Sequence, residues 1–329
     1  MRQRKVLRKM SDNGISKTCV QLRKLVYVAV ERNLAKGILL SGGLDTSIIA
    51  AVASRHLKLK GVTVAFRDAP DVNFAKIIAE KFGVDHVTIP IDEKVAEVAT
   101  QDAIKIMKSF DPMEIRNDAT ILIGLRAAKD HGLDEVMTGD AGDELFAGYS
   151  FLFGKSHDEL DKSLREIWKV MRFSSVPLAK CLGMQAKLPF LEQSLKEFAM
   201  SIDPELKLRE EHGKVYGKWI LRKAFEDLLP PEIVWRIKMP IEQGSGTSML
   251  PSYFNLKTSD DEFSKKAKEY LESDGVHIRD KEHLFYYEAY KKEFGNPRGA
   301  GEGAKVCRSC GAYLLEAMSF CRTCGTSAT

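Results

Sequence analysis

The segment Ser41–Ser47 combines the residue types that bind phosphate. Its glycines, Gly42 and Gly43, let the backbone approach a ligand closely and adopt positive φ. The N–H groups of such a turn, backed by a helix N-terminus, form an anion site. Three hydroxyl groups add further donors: Ser41, Thr46 and Ser47. Asp45 fits an anion site when a cation is also present, and Mg²⁺ on pyrophosphate is the natural one. The segment predicts a phosphate site rather than a tight turn with a helix N-cap, and it lacks the Gly-Lys-Ser/Thr of a Walker loop.

A second segment, Thr138–Tyr149, places three carboxylates close together along the chain, at Asp140, Asp143 and Glu144. Carboxylates at this spacing repel one another unless they are solvated or share a cation. A solvated acidic loop is the ordinary interpretation. The segment follows a predicted strand and contains flanking glycines, and this position favours a metal–phosphate site instead.

Four of the six cysteines form two C-x-x-C-Gly units near the C-terminus. They are Cys307, Cys310, Cys321 and Cys324. This spacing predicts a tetrahedral Zn²⁺ site, with disulfides as the alternative. So short a ribbon cannot build a core of its own, and we expect it to fold around the metal. The remaining Cys19 and Cys181 are either small buried side chains or, for Cys181, a sulfur carrier beside the active site.

The elements around these segments alternate between short apolar strands and helices. Strands are predicted at 37–40, 62–66, 86–89 and 135–138, and helices at 18–34, 72–82, 92–109 and 118–131. This order predicts an α/β fold with a doubly wound parallel sheet, whose ligands lie beyond the carboxyl ends of the strands. Beyond about residue 155 strand-like runs disappear, and we expect a mainly helical second half.

Composition places the chain among ordinary globular proteins. Of its 329 residues, 44% are hydrophobic and 29% are charged, and the net charge of +4 is too small to argue for nucleic acid. No apolar run is long enough to span a bilayer, and the basic N-terminus lacks a signal peptide's apolar stretch, so we expect a cytoplasmic protein.

We expect four parts: a basic arm at 1–17, a catalytic domain at 18–294, a flexible linker at 295–305 and the zinc ribbon at 306–329.

Further motifs follow the first two in the order of a known family. They are Asp111–Arg116, Leu188–Glu192, Lys218–Arg222 and Leu229–Lys238. Together the motifs resemble the synthetase domain of asparagine synthetases and of the related β-lactam synthetase, over about residues 18 to 245. The phosphate segment is similar to the signature of N-type ATP pyrophosphatases, which cleave ATP between its α and β phosphates. The resemblance implies a sheet of the adenine nucleotide alpha hydrolase type.

The resemblance also implies a reaction. A carboxylate would attack the α-phosphate of ATP to give an acyl-adenylate and Mg-pyrophosphate, and a nitrogen nucleophile would then displace AMP. Pyrophosphate would contact Ser41, Gly42, Gly43, Asp45, Thr46 and Ser47, and adenosine would contact Leu40, Val64 and Gly139. Asp45 and Asp143 would hold Mg²⁺. Asp140 would help to deprotonate the nucleophile, Lys238 would neutralise charge as pyrophosphate forms, and Arg116 completes the expected catalytic set.

The chain departs from the family pattern in two places. Glutamine-dependent members begin with a glutaminase domain whose nucleophile is an N-terminal cysteine, whereas this chain has Arg2 and about 36 residues before the first strand. We expect nitrogen to come from ammonia, a separate glutamine amidotransferase subunit or an amine-bearing substrate. Gln185 and Lys187 stand where the family usually has Glu and Arg. A lysine lacks the bidentate fork of arginine, so aspartate is not the expected small-molecule carboxylate.

Two other functions fit parts of the sequence. A tRNA-modifying enzyme that adenylates a base would use the basic arm, the ribbon and Cys181, and its tRNA binding would weaken steeply with salt. The segment Gly139–Tyr149 resembles the asparagine synthetase loop rather than that of the tRNA thiolation enzymes. A degenerate, non-enzymatic zinc-bearing binding module is the third hypothesis, and the intact phosphate segment argues against it.

Overall fold

A five-stranded parallel sheet forms the centre of the protein in the computed structural model, which describes residues 12–66, 68–297, 305–314 and 320–327. Its strands are β1 (Gly37–Leu39), β2 (Lys60–Ala65), β3 (Asp85–Pro90), β4 (Glu135–Met137) and β5 (Gln185–Lys187). Their order across the sheet is β3-β2-β1-β4-β5, with every pair parallel. The predicted doubly wound parallel α/β sheet is therefore confirmed.

The order of the strands reverses direction at β1, which lies between β2 and β4. In open parallel sheets a crevice opens beyond the carboxyl ends of the strands at such a switch point. The segment 41–47 follows β1 and the segment 138–149 follows β4. The topology thus brings the two candidate segments to the same edge of the sheet, although almost one hundred residues separate them along the chain.

The prediction that strands end before residue 155 is wrong. Strand β5 extends the sheet at its edge, and β6 (Leu208–Glu211) pairs with β7 (Lys214–Gly217) in an antiparallel hairpin. The turn of this hairpin is formed by His212 and Gly213, which have φ of 50° and 71°. All three strands are three or four residues long and carry polar side chains. They therefore lack the apolar run or the extended alternation by which a strand is recognised in a sequence.

Helices cover both faces of the sheet and make up most of the second half, as predicted. They are α1 (Asp12–Arg32), α2 (Leu44–Ala53), α3 (Asp71–Phe82), α4 (Glu93–Met107), α5 (Pro112–Asp130), α6 (Gly142–Leu145), α7 (His157–Val170), α8 (Ser175–Cys181), α9 (Gln193–Ser201), α10 (Pro204–Lys207), α11 (Trp219–Phe225), α12 (Pro231–Val234), α13 (Ile241–Gly244), α14 (Leu250–Lys257), α15 (Asp260–Asp274) and α16 (Lys281–Phe294). Among the described helices, none is long and apolar enough to cross a membrane.

Helix α5 begins six residues before the predicted start at 118. The Asp111 side chain accepts a hydrogen bond from the Met113 amide at 3.2 Å, and Pro112 occupies the first helical position. Both are strong helix-start signals. At Gly124 the helix passes so close to the sheet that an added Cβ would lie 3.1 Å from Leu39 and 3.2 Å from Val64. Helix α5 is therefore seated directly over β1 and β2, beside the crevice.

The four cysteines of the C-terminal segment pack into the same core as α4, α5, α14 and α16. The Phe110 amide donates to the Thr323 carbonyl at 2.7 Å, and Arg279 donates to the Cys324 carbonyl at 2.7 Å. The segment is thus anchored to the loop that starts α5. Most of the predicted linker at 295–305 and of the basic arm at 1–17 lies outside the described residues, and α1 already begins at Asp12.

Candidate active site

The segment 41–47 forms a tight loop between β1 and α2. Gly42 has φ of 65°, and an added Cβ would lie 2.3 Å from the Phe74 carbonyl carbon of α3. The Ser41 hydroxyl lies 3.2 Å from both the Gly43 amide and the Thr46 hydroxyl. The Ser47 hydroxyl is buried at the start of α2 and has no hydrogen-bond partner in the described part of the chain. An unpaired buried donor beside a helix N-terminus matches a site for an anion.

The segment 138–149 folds against this loop. Cβ atoms added at Gly139 and Gly142 would lie 3.0 Å from the Asp45 Cβ and 2.4 Å from the Asp45 Oδ1. Ala141, between these glycines, has φ of 74°. The two glycines are therefore required because the acidic loop runs directly over the Asp45 side chain. Their role could not be inferred from the segment alone, since Asp45 comes from a different strand end.

Lys218 joins the carboxylates of the two loops. Its ammonium donates to the Asp45 Oδ2 and lies 2.9 Å from the Asp143 Oδ1. The lysine is almost fully buried. The Asp45 Oδ1 is also buried and has no hydrogen-bond partner among the described residues. An orphaned carboxylate oxygen in this position fits a cation, so Asp45 and Asp143 are suitable oxygen ligands for Mg²⁺.

The charges in this cluster alter the pKa of each member. Burial raises the pKa of Asp45, an effect larger than the opposing attraction of Lys218. Burial opposes ionisation of Asp143 as well, but the charges of Lys218 and Lys238 hold its pKa below the ordinary value. The pKa of Lys218 is raised, since its two carboxylate partners outweigh its own desolvation. The cluster therefore contains a charged Lys218 and an ionised Asp143 at neutral pH.

Lys238 stands at the open side of the cluster. Its ammonium is 3.4 Å from the Asp143 Oδ2 and 4.7 Å from the centre of the Tyr149 ring. The Tyr149 hydroxyl donates to Glu144 at 2.5 Å. A cation over an aromatic face is held by the ring quadrupole while it remains free to contact a ligand. Lys238 is thus the lysine that the geometry presents to a phosphate group.

Asp140 occupies a separate position in the same cavity. Its Oδ2 accepts hydrogen bonds from the Thr138 hydroxyl at 3.0 Å and from the Ser175 hydroxyl. Burial raises the pKa of Asp140, despite these two donors, and the nearby carboxylates raise it further. A carboxylate with a raised pKa is a stronger base. The structure therefore places a candidate base beside the phosphate loop.

These residues surround one cavity of about 620 Å³. Most of the predicted site residues line it: Leu40, Ser41, Gly43, Asp45, Thr46, Val64, Gly139, Asp140, Asp143 and Lys238. Gly42 and Ser47 belong to the same loop but are not among the described lining residues. Arg116 is not among the described lining residues, and it lies 3.7 Å from Glu282 of α16. The geometry therefore does not place Arg116 in contact with a ligand in this cavity.

Sequence reasoning missed three cations at this site: Lys218, Arg222 and Arg236. Arg236 donates to Asp71 at 2.6 Å, and its guanidinium lies 3.8 Å from the centre of the Phe74 ring. Arg222 donates to the carbonyls of Gly217, at 2.9 Å, and of Val234 and Arg236. Two of these cations belong to the motif 218–222 and the third to the motif 229–238. Their role was not visible, because no spacing along the chain relates them to Asp45.

A second candidate metal site lies at the C-terminus. The four cysteine sulfurs lie within 4.8 Å of one another and all four cysteines are buried. The Cys307–Cys324 and Cys310–Cys321 sulfur pairs are each 3.7 Å apart. A disulfide requires about 2.05 Å, whereas a tetrahedral ion with Zn–S bonds of about 2.3 Å separates its sulfurs by about 3.8 Å. The cluster therefore fits a four-coordinate metal such as Zn²⁺ and not two disulfides.

Comparison with known proteins identifies the family of this chain. The asparagine synthase family model matches residues 21–169 and 177–306. The glutamine-hydrolyzing asparagine synthetase of Asparagus officinalis is 32% identical over 255 residues, covering 70% of this chain and 43% of that protein. The nodule asparagine synthetase of Pisum sativum is 32% identical over 244 residues, covering 68% of this chain and 42% of that protein.

This chain thus spans less than half the length of these curated relatives. An NMN synthetase structure from Francisella tularensis aligns with a TM-score of 0.31 at 16% identity, covering 68% of this chain and all of that one, a likeness too low to carry an argument. The family match covers both loops, the lysines that join them and the helical second half. The chain belongs to the asparagine synthase family.

Proposed function

We propose that this protein is a cytoplasmic, ATP-dependent ligase that adenylates a small-molecule carboxylate and transfers nitrogen to it, releasing pyrophosphate and AMP. The convergence of Asp45, Asp143, Lys218 and Lys238 on the phosphate loop carries the proposal. Residues 18–294 would form the catalytic domain and 306–329 a zinc ribbon that stabilises it. Ammonia or a separate amidotransferase subunit would supply the nitrogen.

The first step forms the acyl-adenylate. An oxygen of the substrate carboxylate attacks the α-phosphorus of ATP, a P–O bond forms, and the bond to the β-phosphate oxygen breaks. The amides and hydroxyls of the loop 41–47 would hold the departing pyrophosphate. Lys238, which faces the open side of the cluster, would neutralise the negative charge that develops on it. When bound by Asp45 and Asp143, Mg²⁺ would supply further charge neutralisation to the pyrophosphate.

Adenosine would occupy the part of the cavity at the ends of β1 and β2. Leu40, Val62 and Val64 line this part, and the Leu40 amide donates to the Val62 carbonyl at 2.8 Å. Ile121 and Gly124 of α5, the helix that packs over β1 and β2, also line the cavity. An apolar slot between a helix and strand ends suits a purine ring, because the ring buries its faces while its edge meets backbone groups.

The second step transfers nitrogen. The amine attacks the acyl carbon, a C–N bond forms, the bond to AMP breaks, and one proton must leave the nitrogen. Asp140 would accept that proton, and its position in the cavity lining and its burial-raised pKa support this role. Its hydrogen bonds to Thr138 and Ser175 would hold the carboxylate in position.

The position of Cys181 bears on the tRNA-modifying alternative. Cys181 is exposed at the end of α8, and it is not among the described residues that line the cavity. A sulfur carrier would have to reach the adenylated atom. The geometry therefore favours the carboxylate ligase over sulfur transfer.

The test measures pyrophosphate and AMP release from ATP·Mg²⁺ with ammonium chloride and a panel of carboxylates or bulk tRNA. We expect release with a carboxylate and its loss, by at least about 100-fold, in Asp45→Asn. Cys181→Ser is the matched control and should retain full activity. Release that requires tRNA, or that depends on Cys181, would contradict the proposal.

A further inference from the structure

We propose that the acceptor is a monocarboxylic acid with an apolar body, and that this body occupies a side pocket next to the reaction cavity. The side pocket has a volume of about 150 Å³. Its apolar walls are Phe151, Phe153, Val215, Ile237 and Pro240. The inference rests on the proposed function, because it specifies which carboxylate that reaction takes.

The position of the side pocket separates it from the nucleotide. Tyr149, Lys218 and Lys238 line both the side pocket and the reaction cavity. Val62 and Val64, at the strand ends proposed for adenosine, line only the reaction cavity. An occupant of the side pocket would therefore adjoin the phosphate end of the site and not the purine end. This is the end at which the acceptor must meet ATP.

Large apolar side chains line this pocket and remain exposed to solvent. Phe151 is 63% exposed, Ile237 59%, Val215 46% and Phe153 36%. They come from three separate parts of the chain: the loop after α6, strand β7 and the loop after α12. Phe151 stacks on Tyr149, with ring centres 5.3 Å apart and planes 16° apart. Apolar groups gathered from separate elements around one concavity are typical of a site for an apolar ligand.

The cations around the pocket argue against a substrate with two carboxylates. Lys218 is paired with Asp45 and Asp143. Arg222 is directed to backbone carbonyls. Lys238, at 3.4 Å from Asp143, keeps a partly exposed ammonium. Of the described cations that line the side pocket, Lys238 is thus the one available to a carboxylate. One acceptor carboxylate would share Lys238 with the phosphate groups of ATP, which suits an acid with a single charge.

The pairing of two further basic residues also argues against an acceptor with two carboxylates. Lys187, which stands where the family usually has Arg, lies 3.0 Å from Glu135. Arg172, the residue before the cavity-lining Phe173, donates to Glu114 at 2.5 Å. Neither is among the described residues that line the two cavities. A second carboxylate, such as that of aspartate, would therefore find no further unpaired cation among the described lining residues and would have to be desolvated at a cost.

The volume limits the size of the apolar body. The pocket volume of about 150 Å³ is about five times the volume that one water molecule occupies in the liquid. This is room for a short branched chain or a single ring. Burying such a group against the exposed Phe and Val side chains would remove apolar surface of both partners from water.

The experiment compares pyrophosphate release with pentanoate, 4-methylpentanoate and phenylacetate against aspartate and glutamate, at fixed ATP, Mg²⁺ and ammonium. We expect at least one apolar acid to exceed both dicarboxylates in kcat/KM by at least about tenfold. In Val215→Asp the KM for that acid should rise by at least about tenfold, while the KM for ATP stays unchanged. Val215→Ile is the matched control, and Phe153→Ala is a second variant that removes a pocket wall without adding charge.

Three outcomes would contradict the inference, and they are distinguishable. A preference for aspartate or glutamate would overturn it and leave the ligase function in place. An unchanged KM for the apolar acid in both Val215→Asp and Phe153→Ala would overturn the assignment of the side pocket. If the protein binds ATP·Mg²⁺ but releases no pyrophosphate with any of the acids, the proposed function and the inference are both overturned.

Discussion

At the residue scale, the buried cluster of Asp45, Asp143 and Lys218 is held together by charge. Two carboxylates in a site of low polarity repel each other, and Lys218 offsets that repulsion from 2.9 Å. A complete buried ion pair changes the free energy of unfolding little. Removing one of its two partners lowers that free energy by about 3–5 kcal/mol. Lys218 is therefore required for the folded site even before any ligand binds.

We predict that Lys218→Met destabilises the protein in EDTA by about 3–5 kcal/mol, because it leaves the buried Asp45 without its ion-pair partner and Asp143 with Lys238 alone. Added Mg²⁺ should recover part of this loss, since the ion replaces the missing positive charge. Thermal unfolding with EDTA and with MgCl₂ measures both effects. Lys223→Met, on the helix α11 that begins directly after Lys218, is the control and should unfold as the parent does, since Lys223 is paired with the half-exposed Glu226. Equal stability of Lys218→Met and the parent in EDTA would contradict the prediction.

A second buried lysine lies away from the site. Lys207 is fully buried, its ammonium has no hydrogen-bond partner among the described residues, and it lies 4.6 Å from the centre of the Trp168 ring. Burial lowers the pKa of Lys207 to about 7. The unfolded chain therefore binds one more proton than the native state between about pH 7 and the ordinary lysine value. In that window the free energy of unfolding rises with pH. Below about pH 7 the lysine is charged in the native state as well, and the full cost of burying that charge lowers the stability.

We predict that Lys207→Met raises the stability at pH 6 by about 1–3 kcal/mol, since methionine fills a similar volume without a charge. The gain should shrink as the pH is raised toward 10. Denaturant unfolding at pH 6, 8 and 10 tests this, with the exposed Lys162→Met on α7 as the control. A gain that is the same at all three pH values would show that charge burial is not its cause.

At the element scale, the phosphate loop is positioned by helix α3 as well as by strand β1. The backbone of Gly42 passes so close to α3 that an added Cβ would lie 2.3 Å from the Phe74 carbonyl carbon and 2.4 Å from the Ala75 nitrogen. Arg236 strengthens the same junction, because it contacts the Phe74 ring and pairs with Asp71 at the start of α3. The loop is thus fixed between two elements that are distant from each other in sequence.

Gly42→Ala should therefore destabilise the protein by more than 2 kcal/mol, roughly the sum of the positive-φ and overpacking penalties. We expect pyrophosphate release to fall by at least about tenfold, because the loop amides are displaced. Gly132→Ala separates the two causes: Gly132 also has positive φ, but its added Cβ would meet nothing within 4 Å. It should cost about 1 kcal/mol and keep its activity. Equal losses in the two variants would show that the contact with α3 is unimportant.

At the scale of the whole molecule, the C-terminal cysteines and the catalytic domain share one core. The Phe110 amide and the Ser109 hydroxyl bond to carbonyls of Thr323 and Arg322, at 2.7 and 2.8 Å. Ser109 and Phe110 lie just before α5, whose side chains Met113 and Asn117 line the reaction cavity. A structural metal in the ribbon would therefore stabilise the wall of the active site and not the ribbon alone.

We predict one Zn²⁺ per chain by elemental analysis. Removal of the metal by a chelator, or Cys321→Ser, should lower Tm by roughly 5–10 °C within a single transition, because the ribbon and α5 unfold together. Cys181→Ser is the control and should match the parent. Two separate transitions after metal removal would contradict the shared core, and absence of bound metal would contradict the zinc site.

Local patterns in the sequence predicted the chemistry of the loops and much of the sheet. Strands β1 to β4 and the parallel arrangement follow from short apolar runs between amphipathic helices, a pattern that depends only on local burial. The phosphate loop and the four cysteines are visible because their ligand groups are neighbours in sequence. Strands β5, β6 and β7 were missed, since short polar strands at an edge or in a hairpin carry no such pattern.

The sequence by itself determined which groups are available: the loop 41–47, the carboxylates of 140–144 and a cysteine set suited to zinc. Only the tertiary structure decided how they combine. It placed Lys218 between Asp45 and Asp143, put Arg116 beside Glu282 rather than among the described cavity-lining residues, and assembled an apolar side pocket from three distant segments. The physical reason is that spacing along the chain specifies contacts within one element, whereas pairing of buried charges and formation of a cavity depend on how separate elements pack.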